Sequence, residues 1–268
     1  MGLIAAPERS GGAPMSEILR FEDWAEPVPP AEREVVSKLP EADEGRPPLL
    51  FVPGLGHGGW AFAEHWLGHV AARGFPAHAV TPRAGGDLRA QAHDVVQVAA
   101  SLPRQTVLIG HGTGARVVAR ALGRYPARAA VLVAPVLDGW AALGAALRSN
   151  PAGTVPALAG GRLRFSARQL FGANVPGEEA KVHLERIGAR PRADLFGRAD
   201  LPEPVGGPPV LVAGSPDDRV VPRAALDRAA ARYGGAPLLF PGMGHYLMLE
   251  PSWAEPIDAI LDWLLKEL

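Results

Sequence analysis

The residues able to do chemistry in this chain fall in short glycine-bearing turns that follow apolar runs. His245 stands in Met243-Gly244-His245-Tyr246-Leu247, just after the last such run. Imidazole titrates near neutral pH, so a histidine held between two turn signals suits proton transfer. Two carboxylates, Asp217 and Asp218, sit side by side in Gly214-Ser215-Pro216-Asp217-Asp218-Arg219-Val220-Val221-Pro222. Two further turns, Val52-Pro53-Gly54-Leu55-Gly56-His57-Gly58-Gly59-Trp60 and Gly110-His111-Gly112-Thr113-Gly114, are dense in glycine, which lets backbone approach a ligand closely. Both also satisfy a dinucleotide fingerprint, as Gly54-x-Gly56-x-x-Gly59 and Gly110-x-Gly112-x-x-Ala115. That alternative wants an acid about 20 residues on, at the end of the next strand. After Gly54 that strand ends in Val80-Thr81-Pro82-Arg83, without one, and after Gly110 the nearest candidate, Asp138, comes late. The chain has no cysteine, which excludes disulfides, thiolate metal sites and a thiol nucleophile. His65 and His69 are one helical turn apart but lack an evident third ligand, and His93 and His183 read as surface.

Taken in order, these turns resemble the stations of the α/β-hydrolase superfamily. Gly110-His111-Gly112-Thr113-Gly114, entered from a strand and left by a helix, resembles the G-x-S-x-G nucleophile elbow, with Gly112 where the family keeps serine. Shifting the register to Thr113 would put His111 where a small residue is needed, and a β-branched residue where positive φ is needed. The Val52–Trp60 turn resembles the family's H-G-x-G loop, with Pro53 replacing the first histidine. Carried over, the oxyanion hole would consist of the backbone N–H groups of Leu55 and Thr113. The loop holding Asp217 and Asp218 resembles G-x-x-D-x-x-x-P with one residue too many. Counting from Gly214 selects Asp217, and counting back from Pro222 selects Asp218, which the Arg-Val-Val-Pro tail favours. The segment around His245, followed by Glu250-Pro251, resembles the family's G-H loop and implies that His245 is the base. Arg164-Phe165-Ser166, Phe171-Gly172 and Glu178-Glu179 resemble the small-cap esterase and hydroxynitrile-lyase branch. The resemblance spans about residues 47–268.

Without a hydroxyl at position 112, acyl transfer through serine would fall by something on the order of 10⁶. What remains is a histidine base beside main-chain oxyanion donors, which suffices for elimination, cyclisation, C–C cleavage or water-mediated hydrolysis. The expected substrate is a small to medium apolar ester, lactone or carbonyl compound, contacted by His57, Trp60, Trp140 and Phe171, and no cofactor or metal is expected. Two other readings stand beside this one: a serine-to-glycine variant of an ordinary serine esterase, and a ligand-binding relative without catalysis.

These turns need strands and helices to hold them. Leu49–Val52, Ala77–Thr81, Thr106–Ile109, Ala129–Ala134, Pro209–Ala213 and Pro237–Phe240 read as strands, short and apolar. Helices are expected at 61–73, at 87–102 with Asp87 as cap, at 113–124, at 223–233 and at 253–265. This alternation predicts an α/β fold with a mainly parallel central sheet flanked by helices. Between 138 and 207 the rhythm breaks, with short helical patterns at 166–171 and 178–187 and no clear strand. That stretch is read as an inserted helical cap, 46–137 and 208–268 as the core, and 1–45 as an N-terminal extension, partly disordered.

With 268 residues, a net charge of −1 and charged residues at 21%, the chain gives no electrostatic reason to expect nucleic acid or anionic lipid as a partner. No apolar run approaches the roughly 18–20 residues that cross a bilayer, and the N-terminus lacks the pattern of a signal peptide. Absence of cysteine fits a cytoplasmic location. A small molecule is therefore the expected partner.

Overall fold

The computed structural model describes residues 28–29, 31–54, 56–83, 87–187, 190–191 and 201–268. The expected disorder of the first residues, and Leu55, lie outside them. The strands are β1 (Glu34–Lys38), β2 (Leu49–Val52), β3 (Ala77–Thr81), β4 (Val107–His111), β5 (Ala129–Val133), β6 (Arg162–Leu163), β7 (Arg190–Pro191), β8 (Val210–Gly214) and β9 (Leu238–Leu239). Seven of them form one sheet in the order β1-β3-β2-β4-β5-β8-β9, parallel except for β1, which runs antiparallel to β3. Counted from β2, this is the order 2-1-3-4-5-6, which differs from the 3-2-1-4-5-6 of the dinucleotide-binding sheet.

Sequence dictates this sheet through its central strands. Every residue of β2, β4 and β5 is buried, as continuous apolar runs require when helices cover both faces. Full burial of a Leu, Val, Ile or Phe side chain contributes about 1.5–3 kcal/mol. β1 was not expected, because Glu-Val-Val-Ser-Lys has no apolar run and only Val36 is half-buried. Its register is fixed by pairing, including Ser37 opposite His78, where Ser37 Oγ lies 2.8 Å from His78 Nδ1.

Ten α-helices are described: α1 (Trp60–Ala63), α2 (Trp66–Ala72), α3 (Leu88–Ser101), α4 (Gly114–Ala121), α5 (Gly139–Ser149), α6 (Pro151–Leu158), α7 (Ala167–Leu170), α8 (Gly177–Ile187), α9 (Arg223–Arg232) and α10 (Ala254–Glu267). The helix expected over 61–73 is broken at His65, which leaves helical φ and ψ and stacks its ring on Trp253 at 4.8 Å. Asp87 caps α3 as expected, accepting from Ala90 N–H at 2.7 Å. Asp138 and Asn150 cap α5 and α6 in the same way, with Pro151 opening α6. α5 to α8 and the short antiparallel pair β6–β7 lie between β5 and β8, so that stretch does contain strands. No helix among the described residues is long and apolar enough to cross a membrane.

A buried carboxylate ties Arg83, just after β3, to α3. Asp94, inaccessible on α3, accepts from Arg83 Nη2 at 2.7 Å, Arg83 Nε at 2.9 Å and Arg83 N–H at 3.1 Å, with Arg33 Nε at 3.3 Å. Burial alone would raise its pKa, but the hydrogen bonds and charges of Arg83 and Arg33 outweigh it and hold the carboxyl below its usual range. The loops after β2, β4, β8 and β9 all leave the carboxyl edge of the parallel strands, where open α/β sheets place their ligands.

Candidate active site

β4 runs straight into α4 through a turn centred on Gly112. Its φ of +56° is left-handed, a region that side chains strain, whereas Thr113 has ordinary helical angles of −71° and −23°. The turn therefore puts position 112, and not 113, at its apex. Gly112 N–H donates to Val133 carbonyl at 3.0 Å, and Gly112 carbonyl accepts from Val136 N–H at 3.0 Å, so the end of β5 and the loop after it fix both sides of the apex. The flanking glycines are forced by contact. A Cβ on Gly110 would lie 2.7 Å from Ala115 Cα, and one on Gly114 would strike the carbonyls of Val52 and Pro53. A Cβ on Gly54 would lie 3.1 Å from Thr113 N, so the loop after β2 is seated on the elbow. Among the described residues Thr113 N–H has no hydrogen-bond partner.

His245 reaches this apex from the loop after β9. A Cβ built on Gly112 would meet His245 Nε2 at 3.1 Å, then Cε1 at 3.7 Å. Nδ1 of the same ring lies 2.8 Å from Asp218 Oδ2. A carboxylate only accepts, so Nδ1 carries the proton and Nε2 turns its lone pair to position 112. Asp218 is held rigid in turn: Oδ1 accepts from Val220 N–H at 2.7 Å and Val221 N–H at 3.0 Å, and its side chain is inaccessible. Asp217 goes elsewhere. It is exposed and accepts from Gly242 N–H at 2.7 Å, bracing the loop toward His245 without touching the ring. The extra residue in this loop thus separates the two carboxylates into different tasks.

The loop carrying His245 is pinned by Glu250, by His111 and by the end of α7. Glu250 is buried, and its Oε1 accepts from Gly172 N–H at 2.7 Å and Gly244 N–H at 2.8 Å. Burial raises its pKa, opposed by those two N–H donors and reinforced by Glu179. His111, wholly buried, donates from Nε2 to the His245 carbonyl at 2.9 Å. Burial first, then the nearby His245 and His57, depress its pKa well below 6.5, so it stays a neutral brace. His245 N–H and Tyr246 N–H both donate to Leu170 carbonyl, at the end of α7. The only signal for Glu250 was its place before Pro251, which marks a turn and says nothing of two backbone donors.

The residues expected to contact substrate separate. His57 is buried, accepts from Gly54 N–H at 3.4 Å, and packs edge-on to Tyr246 at 4.8 Å, inside the wall of the site. Phe171 is buried against Tyr246 at 5.6 Å and His183 at 5.8 Å. Trp60 stacks on His183 at 6.2 Å and carries Arg186 Cζ 3.6 Å above its ring. The expectation that His183 is a surface residue is therefore corrected: it is 5% exposed, because α8 turns that face inward. Trp140 is likewise corrected. It is 71% exposed, since α5 buries Gly139, Ala142, Leu143, Ala145 and Ala146 and leaves position 140 outside. His69 lies 2.8 Å from Asp258, and among the described residues no group of three His, Asp or Glu side chains could hold a metal.

Comparison with solved structures gives the same fold at low identity. An esterase from Thermogutta terrifontis (malate bound) matches with a TM-score of 0.63 at 18% identity, over 88% of this chain and 93% of that one. A monoacylglycerol lipase from Paleococcus ferrophilus matches at 0.60 and 17%, over 89% and 100%. A bromoperoxidase from Bacillus anthracis matches at 0.62 and 15%, over 87% and 94%. No curated protein matches the sequence. The model of the alpha/beta hydrolase family, however, matches residues 49–262, and to that family this chain belongs.

Proposed function

We propose that the chain is an enzyme that works on a small to medium apolar ester, lactone or carbonyl compound without a covalent nucleophile. His245 acts as general acid/base directly on substrate or on a water, Asp218 orients it, and Thr113 N–H, with the N–H of Leu55, receives developing negative charge. The observation that carries this is the pairing at one ring: Nδ1 tied to Asp218 at 2.8 Å, and Nε2 aimed at a residue that has no side chain. In such an arrangement the base faces the reacting atom with nothing interposed, and main-chain donors need no hydroxyl at 112. Residues 138–207 serve as the cap that excludes water and selects substrate.

A panel of small aryl esters, lactones and α-hydroxy carbonyl compounds tests this. Turnover should proceed without a burst and without a covalent adduct by intact mass, and His245→Ala should reduce it by about 10²–10⁴. Turnover indifferent to His245→Ala sinks the proposal. A ligand-holding role without chemistry draws on a different observation: His245 is only 5% exposed, and among the described residues it lines neither the cleft beside α9 nor that between α5 and α7. Saturable binding with no turnover across the panel would favour that role.

A further inference from the structure

A cleft of about 440 Å³ opens between α5, α7 and the loop after β8. Arg148, Arg168 and Arg219, from those three segments, line it together with Ser149 and Asp218. All three arginines are exposed, and among the described residues none is ion-paired, unlike Arg73, Arg83, Arg104 and Arg223, which each hold a carboxylate. Arg219 instead donates from Nη1 to the Arg168 carbonyl, which draws the loop against α7. Ser149 Oγ donates to Ala145 carbonyl at 2.8 Å, with Arg219 carbonyl at 3.4 Å.

The one carboxylate at the cleft offsets only part of these charges and pairs with none of the three arginines. Asp218 turns both oxygens inward, to His245 and to the N–H groups of Val220 and Val221, and its side chain is inaccessible. Three guanidinium groups around one space repel one another, and an oxygen dianion among them would relieve that repulsion. The planar fork of arginine suits phosphate and carboxylate oxygens, which it binds bidentately. The C-terminus of α5 ends at Ser149 and, with Asp218, opposes an anion by about one and a half charges against the three of the arginines.

We propose that this cleft is a second binding site, for a small molecule carrying an oxygen dianion, either a phosphomonoester or a dicarboxylate. Neither Gly112 nor His245 lines it, and it does not depend on the chemistry proposed for them. Its occupant would grip Arg219, the residue next to Asp218, and so stiffen the loop that orients His245.

Calorimetric titration at low ionic strength with inorganic phosphate in one arm and malonate in the other tests the proposal. At least one should bind saturably, and the arm that does identifies the class of dianion. The double variant Arg148→Gln/Arg168→Gln should weaken binding by on the order of tenfold or more for each guanidinium removed. Arg219→Gln should weaken it similarly, while Arg223→Gln, which breaks only the pair with Asp227, should leave it unchanged. No saturable signal from either anion up to about 10 mM overturns the proposal. So does unchanged affinity in both the double variant and Arg219→Gln, or an equal signal from sodium chloride at matched ionic strength.

Discussion

Gly112→Ser would install a hydroxyl at the apex of the elbow, and the structure sets both its cost and its gain. At φ +56° a side chain strains the backbone by about 1–2 kcal/mol, and the smaller conformational entropy of the unfolded chain returns about 0.4–1 kcal/mol of that. The new Cβ has one close neighbour, His245 Nε2 at 3.1 Å, with Cε1 at 3.7 Å and Gly54 Cα at 3.9 Å in ordinary contact. His245 must therefore yield by a few tenths of an ångström, against the 2.8 Å hydrogen bond that anchors Nδ1 to Asp218. The net loss should be about 1 kcal/mol, a fall in Tm of roughly 2–4 °C for a chain of this length. In return the hydroxyl lies within reach of a base already oriented by a carboxylate. A serine nucleophile contributes up to about 10⁶ in acyl transfer, and an unoptimised one should still reach on the order of 10² or more over the parent. The assay is p-nitrophenyl acetate hydrolysis with a burst, together with fluorophosphonate labelling mapped to position 112. Gly112→Ala controls for strain, and Gly112→Ser with His245→Ala controls for the base. A variant that melts within the expected range but is neither labelled nor hydrolytic would show that Nε2 does not serve position 112.

Other outcomes follow from the same geometry. Asp218→Asn should lower turnover by about 10²–10⁴, because an amide N–H can donate to Nδ1 and leave the His245 proton on Nε2, while Asp217→Asn keeps an acceptor for Gly242 N–H and should change stability by less than about 0.5 kcal/mol; equal loss in steady-state rate for both would refute the division of labour. His111 has a folded pKa well below its unfolded 6.5, so its contribution to stability is present above pH 6.5 and lost as pH falls below it. Urea unfolding between pH 7.5 and 5.5 should show a slope of up to about 1.4 kcal/mol per pH unit from this group, absent in His111→Gln. Glu250, with a raised pKa, contributes in the opposite sense, losing stability as pH rises from 4.5 through its folded value, so the difference between wild type and His111→Gln isolates the histidine. Asp94→Asn should cost about 3 kcal/mol by leaving Arg83 without its buried partner, measured as a shift in the urea midpoint. Because the Asp94 pKa is depressed, the contribution of that pair should persist above pH 3.8 and vanish as pH falls through the folded value.

How far the site was legible in the sequence depends on the range of the forces involved. The strands of the sheet core announce themselves because total burial demands uninterrupted apolar runs, as in Leu49–Val52 and Ala129–Val133. The elbow glycines are legible for a related reason: Gly110 and Gly114 sit where any Cβ would strike backbone. β1 was illegible because an edge strand held by pairing with β3 needs no apolar pattern of its own. Asp217 and Asp218 are chemically identical in sequence, and only the direction of each side chain, inward to His245 or outward to Gly242, tells them apart. Glu250, His111 and His183 act on residues as far as 134 positions away or across the cap, contacts that no local spacing encodes.

The glycine at 112 bears on more than the inventory of nucleophiles. A Cβ there would lie 3.1 Å from His245 Nε2, about the distance at which a base takes a proton from a reacting carbon or water. Serine catalysis and direct base catalysis therefore compete for one volume. In an elbow with a side chain, Nε2 is spent on the hydroxyl beside it. In this one its lone pair faces the volume that a side chain would fill. It follows that Gly112→Ser and Gly112→Ala should both depress the natural reaction by crowding Nε2, whereas only the serine variant should gain acyl transfer. A natural reaction undiminished in Gly112→Ala would mean that the reacting atom does not occupy that volume, and the role given to His245 would have to move with it.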